Sequence, residues 1–479
     1  MIEDKFLPEG FKTLIGAEID KETAEHLFSA LCGEAETSVR LNRRKPTSEP
    51  LYAGMESVGW CKSGHYLPMR PNFTLNPLLH AGTFYVQDAS SMIYEAITEA
   101  ITGDTPVKAC DLCAAPGGKT TAILNALPDK SVMLANEFIG SRANILKENL
   151  YKYGYPEIVV TNCDTGKLSA MRNYFDIVAV DAPCSGEGMM RKDETARSQW
   201  SEGLVRQCST LQKEILANAV EMLAPGGYLI YSTCTFNTIE NEDNAAWMAD
   251  NFGMIPIDTG LTGQHGITGQ VKGNIPCLRF MPGLTRGEGL FTVVFRKQED
   301  SEAGSPLPKN KRKGKGNKER NEKINPEILN LAKSWINGDF GIFNHDGHLL
   351  ALTPATADLL EAIPKGVRII SAGVEIGEIK GKDLIPSHQL ALSTAMAHPF
   401  PEVGLTTEEA LMYLSKDTIN LPPDIPKGFV TATYRGYPLG FLKNLGTRSN
   451  NLYPSEYRIR VKVSESLTEN INTIDYVGN

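Results

Sequence analysis

The chain has 479 residues, which at about 100–200 residues per domain points to two to four domains and excludes a single compact one. Hydrophobic residues make up 41% and charged residues 22%, with 17 Phe, 16 Tyr and 4 Trp, enough apolar material for several cores, so global disorder is excluded. The net charge of −9 and pI near 5.6 would argue against a nucleic-acid partner only if the charge were evenly spread. It is not: eight basic residues between Lys309 and Lys323 meet only Glu319 and Glu322, a local charge of +6 that leaves −15 on the rest.

No stretch approaches the roughly 18 consecutive apolar residues of a membrane span, and the start Met1-Ile2-Glu3-Asp4-Lys5 lacks the features of a signal peptide. A cytoplasmic protein without membrane contact is expected. Nine cysteines, several within apolar segments, suit reduced thiols better than a disulfide framework.

Residues 1 to about 105 carry helix-like and short strand-like pieces that look like a small separate α+β lobe. Within it, Arg40, Arg43, Arg44 and Lys45 lie near Trp60 and Tyr66. This mixture either binds a nucleic-acid backbone or is the ordinary solvated edge of a strand.

From residue 106 to about 298, short apolar runs alternate with helix-like stretches: Val107–Cys110, Val132–Ala135, Ile158–Val160, Ile177–Val180 and Tyr228–Tyr231. That alternation predicts α/β architecture, a parallel Rossmann-like sheet with crossover helices. The clearest helix has Ser201 as N-cap, an apolar stripe of Leu204, Cys208, Leu211, Ile215, Ala219 and Leu223, and Pro225-Gly226-Gly227 as its stop. Cys208 is then expected in the core.

Ligands of open α/β sheets bind beyond the carboxyl ends of the strands. The first run is followed by Asp111-Leu112-Cys113-Ala114-Ala115-Pro116-Gly117-Gly118-Lys119-Thr120-Thr121, where small residues and glycines let the backbone approach a ligand. A phosphate loop would need Gly where Cys113 stands, and no GxGxxG is present, so nucleotide hydrolysis and nicotinamide binding lose support. Cys110 and Cys113 form a CxxC, but with no second CxxC or clustered His no metal site is expected.

The second run ends in Asn136-Glu137, where a Rossmann-like sheet places an acid against a ribose diol; Asp164, after the third, can accept from an adenine amino group or cap a helix. The fourth gives Asp181-Ala182-Pro183-Cys184-Ser185-Gly186-Glu187-Gly188 and the fifth Tyr231-Ser232-Thr233-Cys234-Thr235. Two thiols at neighbouring strand ends, one beside a carboxylate, make a nucleophile constellation. Arg191 and Lys192 either hold flanking phosphates or form a solvated surface pair. Ser301–Lys323 has almost no apolar residue and is expected to be a basic linker, spanning 299–324.

The runs AAPGGKT, DAPCSGEG and STCT, with Arg40-Leu41-Asn42 and Tyr85-Val86-Gln87-Asp88-Ala89-Ser90-Ser91 upstream, resemble the RNA cytosine-C5 methyltransferases of the Nol/Nop/Sun family over roughly residues 35–297. The remainder resembles the RsmF type of bacterial ribosomal RNA methyltransferase. Gly428-Phe429-Val430, Leu439-Gly440-Phe441-Leu442-Lys443 and Asn450-Asn451-Leu452-Tyr453-Pro454 are similar to a PUA-like RNA-binding module. This resemblance implies an RNA-binding lobe (1–105), a Rossmann-like S-adenosylmethionine-dependent domain (106–298), an intermediate region (325–420) and a PUA-like region (421–479).

It further implies a monomeric enzyme forming 5-methylcytidine, with ribosomal RNA or the small ribosomal subunit as partner. A transfer RNA methyltransferase and an RNA-binding assembly factor are the alternatives. Cys113, Ala114, Ala115, Pro116, Gly117, Gly118 and Lys119 would wrap the amino-acid end of S-adenosylmethionine, Glu137 its ribose and Asp164 its adenine. Asp181 would lie between cofactor and base. Cys234 would be the covalent nucleophile and Cys184 would assist release, with Pro183-Cys184 the rival nucleophile on chemistry alone. The C-terminal third is expected to supply RNA affinity and not chemistry, so that a chain cut near Phe295 still binds cofactor.

Overall fold

The computed structural model describes residues 6–45, 55–299 and 324–460; the expected basic linker lies outside them. Strands β1 (Thr37–Leu41), β2 (Gly64–Leu67) and β3 (Phe84–Val86) form an antiparallel sheet with β1 in the middle, not at an edge. Its basic run is largely engaged within the chain, with Arg43 still exposed. Arg40 is fully buried and donates to Gln87 Oε1 and the Tyr153 hydroxyl, both at 2.7 Å, and to Thr121 Oγ1 at 2.6 Å. Arg43 pairs with Glu95 and Glu99, Arg44 with Asp129 and Glu157, and Lys45 donates to the Ala81 and Lys152 carbonyls. These side chains bind the N-terminal segment to the rest of the chain.

All five expected strands form, as β4 (Lys108–Asp111), β5 (Val132–Asn136), β6 (Ile158–Asn162), β7 (Phe175–Asp181) and β8 (Leu223–Thr233), mutually parallel. Strands β9 (Ile255–Ile257), β10 (Leu278–Phe280) and β11 (Leu290–Arg296) extend the β8 edge through antiparallel pairing of β11. The order β10-β11-β8-β7-β4-β5-β6 reverses direction between β4 and β7, a switch point that opens a crevice at their carboxyl ends. Alternation along each strand feeds two cores. Ala109, Met133 and Val160 face one, while their neighbours Cys110, Leu134 and Val159 face the other.

The long helix runs Glu202–Met222, and Ser201 caps it by accepting the Leu204 N–H at 3.1 Å. Its buried face is rotated from the apolar stripe. Val205, Ser209, Gln212 and Leu216 are buried, Leu211 is 42% exposed and Cys208 is only half-buried. The reason is polar: Ser209 and Gln212 enter a buried hydrogen-bond network that the apolar residues cannot join.

The C-terminal third holds β12 (Gly341–His345), β13 (His348–Leu352), β14 (Arg368–Ala372), β15 (Val374–Lys380) and β16 (Asp383–Pro386), then β17 (Glu402–Gly404), β18 (Gly428–Tyr434), β19 (Tyr437–Asn444) and β20 (Ser449–Asn451). Two four-stranded sheets result, β12-β13-β15-β16 and β17-β18-β19-β20. The remaining strand, β14, pairs antiparallel with β6 and becomes the far edge of the catalytic sheet. Leu352, Leu359 and Ala372 complete one of its cores, and Val430, Leu442 and Tyr453 share another with Val39 and Phe84. A chain cut near Phe295 would lack the β6 neighbour and part of this buried core.

Candidate functional site

The glycine turn after β4 leads into the helix Gly118–Ala126, with Gly117 at φ +113°, a left-handed backbone that favours glycine. Asp111 anchors the turn by accepting the Thr120 hydroxyl at 2.6 Å. The turn's carbonyls are held from outside: Arg142 donates to Ala115 O at 2.7 Å, Asn149 to Pro116 O at 2.8 Å and the Tyr85 hydroxyl to Pro116 O at 3.2 Å. Of these three donors, only Tyr85 lay in a run that drew attention in the sequence.

Burial, partly offset by the Thr120 bond, pushes the Asp111 carboxyl up to about 7. Between about pH 4 and 7 the folded chain then keeps a proton that the unfolded chain has lost, so this group's contribution to stability falls as pH rises through that window. Asp111→Asn is expected to flatten the fall, read as urea midpoints at several pH values. An unchanged slope would contradict it.

Glu137, at the end of β5, is 3% exposed; it accepts the Ile139 N–H at 2.8 Å and lies 3.5 Å from Arg142 Nη1. Asp164, after β6, is exposed and caps the helix Thr165–Leu168 through the Gly166 N–H at 2.8 Å. Asp181, ending β7, pairs with Lys119 Nζ at 2.7 Å and accepts the Ser232 hydroxyl at 2.7 Å. Burial pulls the Lys119 ammonium down, but Asp181 outweighs it and the net shift is upward. The glycine turn and β7 therefore meet at an ion pair.

Because β7 and β8 are adjacent and parallel, Cys184 and Cys234 emerge side by side, their Sγ atoms 3.2 Å apart. The Cys184 thiol is pushed well up, first by its hydrogen bond to Cys234 and then by burial. Either thiol can donate to the other across this gap. The Gly188 N–H donates to Cys234 O at 2.7 Å, and a Cβ on Gly188 would lie 2.8 Å from that oxygen, so only glycine fits. All nine cysteines are free, and among the described residues no cluster of three or more His, Cys, Asp or Glu could hold a metal.

Of Arg191 and Lys192 only Lys192 is solvated. Arg191 is buried and donates to Glu288 at 2.9 Å, which Lys192 also meets at 2.8 Å. Glu187, within the run after β7, and Glu240, outside every run singled out above, are fully buried beside the thiol loops. Burial raises both, Glu187 to about 7. Among the described residues no helix is long and apolar enough to cross a membrane.

Residues 7–89 match the N-terminal domain of 16S rRNA methyltransferase RsmF, residues 103–296 match 16S rRNA methyltransferase RsmB/F, and residues 400–459 match the methyltransferase RsmF PUA domain. Ribosomal RNA small subunit methyltransferase F of Vibrio parahaemolyticus is 30% identical, over 95% of this chain and 97% of the relative. The Escherichia coli O7:K1 protein of the same name is 29% identical, over 94% and 96%. Among solved structures, a methyltransferase homolog protein from Pyrococcus horikoshii aligns with a TM-score of 0.50 and 24% identity over 60% of this chain and 93% of its own. NSun6 from the same organism aligns at 0.52 and 19%, over 61% and 99%. These two share the fold of the sheet and its flanking helices. With a relative of this identity matched from end to end, the chain belongs to the 16S ribosomal RNA methyltransferase RsmF family.

Proposed function

We propose that this ribosomal RNA methyltransferase modifies cytosine at C5 in small-subunit RNA through a covalent bond between Cys234 Sγ and C6 of the base. The observation that carries this reading is the 3.2 Å approach of two thiols at the ends of neighbouring parallel strands. A hydrogen bond to a thiolate favours the charged, nucleophilic form. The resemblance of STCT and DAPCSGEG to the Nol/Nop/Sun enzymes assigns the attack to Cys234 and makes Cys184 its partner.

S-adenosylmethionine is the cofactor and supplies an electrophilic methyl group from its sulfonium. The donor set suits it. Carboxylates at the ends of β5, β6 and β7 are acceptors for ribose hydroxyls and amino groups, and Gly117-Gly118 bring backbone close without a Cβ. Cys113 to Lys119 hold the amino-acid end, Glu137 the ribose and Asp164 the adenine, while Asp181, fixed by Lys119 and Ser232, faces the base.

Cytosine C5 is a poor nucleophile. When the Cys234 thiolate adds to C6, a C–S bond forms and the double-bond electrons move onto C5, which becomes enamine-like and is methylated. Removal of the C5 proton, assisted by Cys184, returns its electron pair to the ring, re-forms C5=C6 and expels Cys234 as a thiolate. Because C6 is hidden in a stacked helix, the base must be flipped or presented single-stranded. Residues 1–105 and the region from 325 onward are assigned to RNA contact, with 421–479 acting in the PUA-like manner.

Glu137→Ala is expected to weaken cofactor binding by about one to two decades, the roughly 1.5–3 kcal/mol of hydrogen bonds to a charged group. Calorimetry showing unchanged affinity would remove Glu137 from the site. The reaction itself is tested by bisulfite sequencing of 16S RNA from a strain lacking the gene. At least one cytosine protected in the parent should become convertible, and an identical pattern in both strains would overturn the C5 assignment.

A further inference from the structure

We propose that Glu187 and Glu240 are positioning residues for the thiol pair, each carried on the loop of one cysteine and bound to the loop of the other. The inference rests on the thiol roles proposed above. Glu187, on the Cys184 loop, accepts the Phe236 and Asn237 N–H groups at 2.6 and 3.0 Å, just after Cys234. Glu240, on the Cys234 side, accepts the Ser185 N–H at 3.1 Å and the Ser185 hydroxyl, next to Cys184. Asn237 Nδ2 donates to both carboxylates at 2.9 Å.

The long helix closes the arrangement. Gln212 Nε2 donates to Glu240 at 2.7 Å and to Pro183 O at 2.9 Å, immediately before Cys184. Trp200 Nε1 donates to Glu187 at 3.1 Å. Both carboxylates are fully buried, so every donor withdrawn from them leaves a polar group without solvent to replace it. Sliding one loop past the other breaks charge-assisted bonds in both directions, and such bonds are short and directional. The thiol separation is thus set by two acids that belong to opposite loops.

Glu240→Gln tests this in the full-length chain, because it puts an N–H₂ where only donors point. Diamide oxidation reads the thiol separation without RNA: the reagent takes two hydrogens and two electrons and leaves a Cys184–Cys234 disulfide. Its rate is expected to fall about tenfold or more in Glu240→Gln. Single-turnover methylation of small ribosomal subunits should fall about tenfold or more, with cofactor Kd and subunit KM within about twofold of wild type. Ser185→Ala, which removes one hydroxyl, should lower both rates less and add little on top of Glu240→Gln, as members of one network do. It carries the test if Glu240→Gln does not fold. Disulfide closure at the wild-type rate, in whichever variant folds, overturns the proposal. Slower closure with unchanged methylation upholds the clasp and instead removes the thiol pair from the reaction.

Discussion

Cys234→Ala is expected to lower methyl transfer by on the order of 10⁴-fold or more, since the addition to C6 is assigned to that sulfur alone. Cofactor affinity should be unchanged, because the glycine turn after β4 and the acids ending β5 and β6 do not depend on that sulfur. Cys184→Ala should behave differently. It removes the thiol that lies 3.2 Å from Cys234 but leaves the attacking atom in place, so a single round of transfer persists while turnover stops at release. Rapid-quench measurement of the first turnover beside steady-state rates separates the two variants. Equal loss of the first turnover in both would contradict the division of roles.

The largest loss of stability is expected at Arg40. Its guanidinium, without solvent contact, joins Gln87, Thr121, Tyr153 and the Gly118 carbonyl, and lies 3.9 Å from the buried Glu95. Arg40→Met keeps the apolar stem and removes every donor. Gln87 Oε1 and the Glu95 carboxylate then lose a cationic partner in a medium that cannot solvate them, a cost of about 3–5 kcal/mol. The same substitution loosens the first turn of the helix behind the cofactor loop, through Gly118 O and Thr121. Urea unfolding should show the midpoint shift, and cofactor affinity should fall with it. A change under about 1 kcal/mol would mean that the network is solvated in solution.

The parallel sheet was legible because its strands are buried on both faces and so read as short unbroken apolar runs. Each ends where a polar residue interrupts the run: Asp111, Asn136, Thr161, Asp181 and Ser232. The thiol pair was legible for the same reason: once Ile177–Val180 and Tyr228–Tyr231 are strands, Cys184 and Cys234 must follow them. What local pattern does not encode is which distant group a charged side chain meets. Arg40, Arg43, Arg44 and Lys45 look like a binding strip in sequence, yet their partners include residues from Ala81 to Glu157. Arg191 and Lys192 find Glu288 in the same way.

The rotation of the long helix has a related cause. Its apolar stripe was read correctly as periodic, but Ser209 and Gln212 are drawn inward by Asn244, Tyr231 and Glu240, and Leu211 is turned out. Strand β14 gave little warning because Arg368–Ala372 is short, partly exposed and far along the chain from β6, whose edge it covers.

The central claim, a bond from Cys234 to the base, is tested most directly by trapping it. Cys184→Ala incubated with S-adenosylmethionine and small ribosomal subunits should yield a protein–RNA band that survives denaturing electrophoresis. After nuclease and protease digestion, mass spectrometry should place a methylated cytidine on the peptide containing Cys234. Adduct on the Cys184 peptide of Cys234→Ala, with none on Cys234 in Cys184→Ala, would contradict the account and make the Pro183-Cys184 thiol the nucleophile.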